Sequence, residues 1–272
     1  MMVFTLLSIL VIVGFCTLFI YQNRRNRILV FALLLKIAAG ICLGFVYKYH
    51  YQGGDTLVYY NESKTIATYV LSDPLEHVGF YFTNVASEIT GLTFYEQPRA
   101  LFFSKILSVI YLLTGGNYWL MAVMLSIINF LCVRRLVDQI TKRFPVTKLP
   151  AVVAFYFLPT FVFWTSGILK ESLAIGALCL LVALALEWSE PHAKFKTGQI
   201  ILVFLGGMVL WNLKYFYTAV TIPVLVSVVV FERIKSRKYR IIVPLFLLIT
   251  LVVIFSVSHY NLECKACVYR SS

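Results

Sequence analysis

The sequence is poor in charge: Asp, Glu, Lys and Arg make up 13% of its 272 residues. Soluble globular chains usually carry about 25%. Acids are scarcest, 12 against 24 Lys and Arg, for a formal net charge of +12. There is no internal repeat, no low-complexity tract and no separate soluble domain. Together these absences exclude a soluble enzyme, a disordered tail and a fibrous repeat. What abounds is apolar: 60% of the residues are hydrophobic and mean hydropathy is +0.85. The class this predicts is all-α, a polytopic membrane helix bundle of about eight spans, forming a single transmembrane domain over 1–272.

A helix needs about 20 apolar residues to cross a bilayer core of about 30 Å. Eight runs qualify or come close: 3–20, 28–47, 117–133, 149–164, 169–187, 198–213, 216–231 and 241–258. Basic stretches punctuate them at 23–27, 134–148, 187–197 and 232–240. Lys and Arg gather on the cytoplasmic side, so the four stretches together place that side. The inner face then holds 15 Lys and Arg against four acids, and the outer face eight against eight. In a soluble protein +12 would suggest nucleic acid. Here it records orientation, and no nucleic-acid partner is expected.

With both termini outside, residues 149–187 must cross an even number of times, as a hairpin with its outer tip near 163–172. Residues 198–231 obey the same rule, with Lys214 at their midpoint. The first run has no basic residue ahead of it and no small-residue cleavage site, which argues for an extra N-terminal span (1–27) over a cleaved signal. The polar end, 259–272, reads as an outer tail or a truncation.

Between the second and third runs lies a large loop, 48–116. Gly53-Gly54 is a turn signal. Asp55-Thr56 is a plausible helix N-cap, opening a helix over 56–71 that stops at Ser72-Asp73-Pro74. Residues 99–113 carry a narrow polar stripe of Ser104, Lys105 and Ser108, read as an amphipathic helix in the outer interface. Gly115-Gly116 then turns the chain into the next span.

Most cysteines lie in or beside spans, where Cys behaves as a small hydrophobe. Cys264 and Cys267 form a lone C-x-x-C, weak support for zinc and open to a tail disulfide or an incidental pair.

Few charges are left once orientation is taken out. Asp55 stands at the mouth of the second span. Lys170 and Glu171 open an otherwise uncharged helix at the hairpin tip. Lys214 is the one charge in about 34 residues, and Lys36 lies some 12 Å inside its span by helix rise. Ionisable groups at membrane depth are costly and tend to be functional. Each also has a plain reading. Asp55 can cap, Glu171 can answer the helix dipole, Lys214 can snorkel outward, and Lys36 can snorkel inward or pair with an acid inside the bundle. As a set they offer carboxylates for general-base work and cations for a phosphate.

Three motifs, Gly54-Asp55-Thr56-Leu57-Val58-Tyr59, Phe163-Trp164-Thr165-Ser166-Gly167-Ile168-Leu169-Lys170-Glu171-Ser172 and Asn212-Leu213-Lys214-Tyr215, follow one another on one face. Over residues 28–258 this order resembles the membrane glycosyltransferases of the GT-C superfamily. The resemblance implies a lipid-linked sugar donor, a polyprenyl phosphate sugar, and an active face outside the cytoplasm, as in a bacterial inner membrane. It implies Asp55 as the base and Glu171 as the second acid. Lys170, Lys214, Arg99, Lys105 and Tyr59 would bind substrate or its phosphate. It leaves room for a divalent metal, although Thr56 stands where many members have a second acid. No metal ligand and no cofactor is assigned. The lipid bilayer is the other partner, and the oligomeric state is open. Two alternatives stay in view: a polysaccharide polymerase or other envelope-glycan assembly protein, and a non-enzymatic transporter or assembly subunit.

Overall fold

The computed structural model describes residues 2–51, 53–82, 89, 92–94, 97–190, 193, 195–234, 242, 245, 246 and 249. The elements among them are all helical: α1 (Met2–Gln22), α2 (Arg27–Phe45), α3 (Asp55–Ser72), α4 (Pro74–His77), α5 (Pro98–Leu113), α6 (Tyr118–Arg143), α7 (Lys148–Val152), α8 (Pro159–Trp164), α9 (Lys170–Trp188), α10 (Thr197–Leu213) and α11 (Tyr215–Arg233). α2 runs on through one π-helical turn, Val46–His50. Five of these helices are long and apolar enough to cross a membrane: α1, α2 with its π turn, α6, α9 and α11. This is a multi-span membrane protein.

Two of the expected crossings take another form. Residues 149–164 are not one helix. α7 passes into a π turn at Val153–Phe157, Leu158 is extended, and α8 starts afresh at Pro159. The residue before a proline is pushed out of the helical region, and Pro159 cannot donate to the ladder, so the break is written in Leu158-Pro159. α10 is apolar but has 17 residues, about 25 Å at the rise of an α-helix. The run 241–258 lies almost wholly outside the described residues. The Cys264–Cys267 pair and the tail lie outside them altogether.

The chain divides into two units, Met1–Ala177 and Leu178–Ser272. In the first, α2 packs against α6. The loop after α8 touches both helices. Gly167 has φ +67, and a Cβ there would lie 3.1 Å from the Gly40 carbonyl oxygen. The Gly167 N–H donates to Ser126 Oγ at 3.0 Å, and Asn129 Nδ2 donates to the Ser172 carbonyl at 2.5 Å. These bonds hold both sides of the α8–α9 turn onto α6.

Lys36 does not snorkel. It is 4% exposed, and its ammonium donates to Thr165 Oγ1 and to the Val162 carbonyl at 3.5 Å, with the Phe161 ring 5.5 Å away. The end of α8 thus supplies inside the protein what headgroups would have supplied outside it.

Residues 55–113 build a small core of their own, in which α3 packs along α5. Ile66, Val70, Phe80 and Leu101 are buried together. The α5 polar stripe is turned into this packing, which corrects its reading as a face toward the lipid–water interface. Ser104 Oγ donates to Glu62 Oε2 at 2.7 Å, and Lys105 Nζ donates to the Phe80 carbonyl at 2.7 Å. Ser108 Oγ lies 2.9 Å from the Tyr81 hydroxyl.

In the second unit, α10 packs on α11. Gln199 ties the end of α9 to the start of α10. Its Oε1 accepts from Trp188 Nε1 at 2.9 Å, and its Nε2 donates to Glu187 at 2.6 Å. Arg233 donates to the Trp188 and Ala193 carbonyls and lies over the Phe195 ring. A cavity of about 290 Å³ opens among Leu181, Trp188, Phe195, Gly207, Leu225 and Val229.

Candidate active site

Asp55 is placed by the turn before it. Gly54 is the N-cap of α3 and has φ +108, a backbone that favours glycine. A Cβ on it would press into the Tyr47 ring at 2.8 Å. Asp55 is therefore the first helical residue and not the cap. Its side chain is exposed and accepts no hydrogen bond among the described residues. The cap reading fails, and the carboxylate is left facing outward.

One turn along α3, on the same face, Tyr59 is 1% exposed. Its ring meets Phe94 and Phe103, each with centroids at 5.0 Å. Lys170, at the start of α9, sets its ammonium 5.2 Å from the Tyr59 ring centroid. The Tyr59 hydroxyl is buried and hydrogen-bonds nothing among the described residues.

Burial pushes the Tyr59 phenol above its ordinary range, and the charges of Asp55, Glu171 and Glu62 push it further. Asp55 and Glu171 thus act on one phenol although 115 positions separate them in the sequence. The two acids singled out by sequence are thus both within electrostatic reach of Tyr59, whose ring Lys170 approaches.

The other candidates are placed differently. Lys105 is buried against Phe80, where burial holds its ammonium below the usual lysine value. Arg99 is exposed in the first turn of α5. Lys214 belongs to the second unit, at the junction of α10 and α11. Lys170 meets an aromatic ring where a phosphate contact was expected.

Glu62 was missed by the sequence reading. It is 3% exposed and accepts from the Phe94 N–H at 2.6 Å and from Ser104. It therefore fixes Phe94, which in turn walls Tyr59. The available signal was its spacing: Asp55, Tyr59 and Glu62 share one face of α3 at i, i+4, i+7.

Two carboxylates, an ammonium and a neutral phenol can bind hydroxyl groups and take a proton from one of them. No group of three or more His, Cys, Asp or Glu able to hold a metal occurs among the described residues. No titratable side chain lines the cavity of the second unit, so it offers no comparable chemistry. Comparison with protein-family models, curated protein sequences and solved structures finds no match to this chain.

Proposed function

We propose that this protein is a membrane glycosyltransferase of the GT-C kind, moving a sugar from a polyprenyl-phosphate donor to an acceptor hydroxyl on the outer, periplasmic face of a bacterial inner membrane. The observation that supports the reading is the buried Tyr59 one turn after Asp55 on α3, with the Lys170 ammonium beside Glu171 set 5.2 Å from its ring centroid and both acids in electrostatic reach of its phenol. Asp55 is the general base. Exposed and unbonded, it can accept the proton of an incoming hydroxyl as that oxygen attacks the sugar. Glu171 assists from the α9 end. The departing lipid phosphate gains negative charge in the transition state, so a cation beside it lowers the barrier. Arg99, exposed in the first turn of α5, is the cation proposed for it.

The test is transfer of labelled sugar from a polyprenyl phosphate donor in membranes holding the full chain. Transfer is expected to collapse in Asp55→Asn and Glu171→Gln. Undiminished transfer in both variants sinks the assignment.

One observation favours a second reading, a transporter. Helices broken inside the bundle are typical of transporters, and α7–α8 is such a break. Substrate accumulation in proteoliposomes without any glycosyl product would decide for it.

A further inference from the structure

The unpaired Tyr59 hydroxyl asks for a ligand. A buried polar group with no hydrogen bond costs about 1–3 kcal/mol, and such groups are uncommon in folded chains. Here the hydroxyl lies in electrostatic reach of both acids of the candidate site. The wall around the ring is fixed on two sides, by Phe103 of α5 and by Phe94, which Glu62 anchors. A third neighbour is Lys170, a half-buried side chain.

The charges say what the ligand is. Asp55 and Glu171 act on the Tyr59 phenol while Lys170 lies over its ring, so a phosphate there would meet more negative than positive charge. A neutral polyol suits the set better. Each of its hydroxyls can donate to a carboxylate and accept from a phenol or an ammonium. Among the described residues, Glu62 is bonded to Phe94 and Ser104 and is not aimed at a ligand.

We propose that Asp55, Tyr59, Lys170 and Glu171 form a subsite for a neutral sugar, with the Tyr59 hydroxyl donating to one of its oxygens. This rests on the glycosyltransferase reading for which sugar is held, the acceptor. The lipid phosphate is then bound elsewhere. Lys170, with its ammonium 5.2 Å from the Tyr59 ring centroid, donates to a sugar oxygen.

The experiment uses the full chain purified in detergent. Glucose, galactose, mannose, N-acetylglucosamine and, separately, inorganic phosphate are titrated by ligand-observed NMR and by thermal unfolding. At least one neutral sugar binds the wild type, and Tyr59→Phe weakens it about tenfold, the loss of one hydrogen bond. The same variant melts no lower than wild type, because only an unpaired hydroxyl has been removed. Four results overturn the proposal: no sugar binds; Tyr59→Phe binds sugar unchanged; the variant melts below wild type, which makes the hydroxyl structural; or phosphate, not sugar, depends on Tyr59. The transfer assay is scored apart from these. Sugar held through Tyr59 without any transfer removes the enzyme reading and leaves the subsite standing. Transfer that continues with Tyr59-independent sugar binding does the reverse.

Discussion

α3 with α5 and α10 with α11 are both packed helix pairs, yet they are built for different surroundings. α3 buries Thr56, Glu62 and Ser63 among its core residues, and α5 buries Ser104, Lys105 and Ser108. α10 and α11 are more apolar but leave that surface open. Phe204 is 71% exposed and Val220 65%. Apolar helices meet lipid, so they need little protein cover. The α3–α5 polar groups must find partners in the protein once they leave water. The mixed pair is therefore the precisely positioned one, and the candidate site grows on it.

The largest expected effect that sharpens this contrast is catalytic. Asp55→Asn should lower sugar transfer by about 10²–10⁴-fold, the usual worth of a general base. Its melting temperature should stay near wild type, since the side chain is exposed and unbonded. Equal losses of transfer and stability would show that Asp55 is structural after all.

Next comes the polar lock. Glu62→Ala leaves the Phe94 N–H and the Ser104 hydroxyl without their acceptor. About 2–3 kcal/mol of stability should go with it, as for hydrogen bonds to a charged group in a buried site. Hydrogen exchange should rise in α3 and α5 and not in α10 and α11. A uniform rise would erase the distinction between the two pairs.

Gly40→Ala comes third. Its new Cβ would collide with Ser126 Oγ and lie 3.1 Å from the Gly167 nitrogen. Overpacking of this kind costs about 1–3 kcal/mol. It should also shift Lys170 and Glu171, lowering transfer more than a comparable change at Gly207 of α10. Matched effects at the two glycines would argue that the α2–α6 contact does not position the site.

The smallest effect is one of pH. The Tyr59 phenol is held above its ordinary range by burial and nearby carboxylates, so it stays protonated as the pH rises through the ordinary tyrosine value of about 10. Sugar binding measured against pH should show no alkaline loss there that Tyr59→Phe removes. A loss of that kind would mean the phenol is freely solvated.

Much of this was legible in the sequence. Span-forming runs, the turn at Gly115-Gly116, the helix opened by Asp55 and ended before Pro74, and the acids worth testing could all be read from hydropathy and spacing. The continuity of 149–164 could not be read from hydropathy, because an apolar run looks alike whether or not Leu158-Pro159 breaks it. The direction of the α5 stripe was hidden as well. Ser104, Lys105 and Ser108 suit a lipid–water interface and a buried polar network equally by composition.

By itself the sequence determined that the chain lives in a membrane and which few charges lacked an explanation there. Both follow from transfer free energies, which depend on what a residue is and hardly on its neighbours. Only the tertiary structure decided where those charges lie and what surrounds them. It buried Lys36 against Thr165, locked Glu62 and Lys105 into α3–α5 packing, and set Asp55 and Glu171 within electrostatic reach of one phenol. A charge's role depends on distance and solvent, and those arise from contacts between segments far apart in the chain.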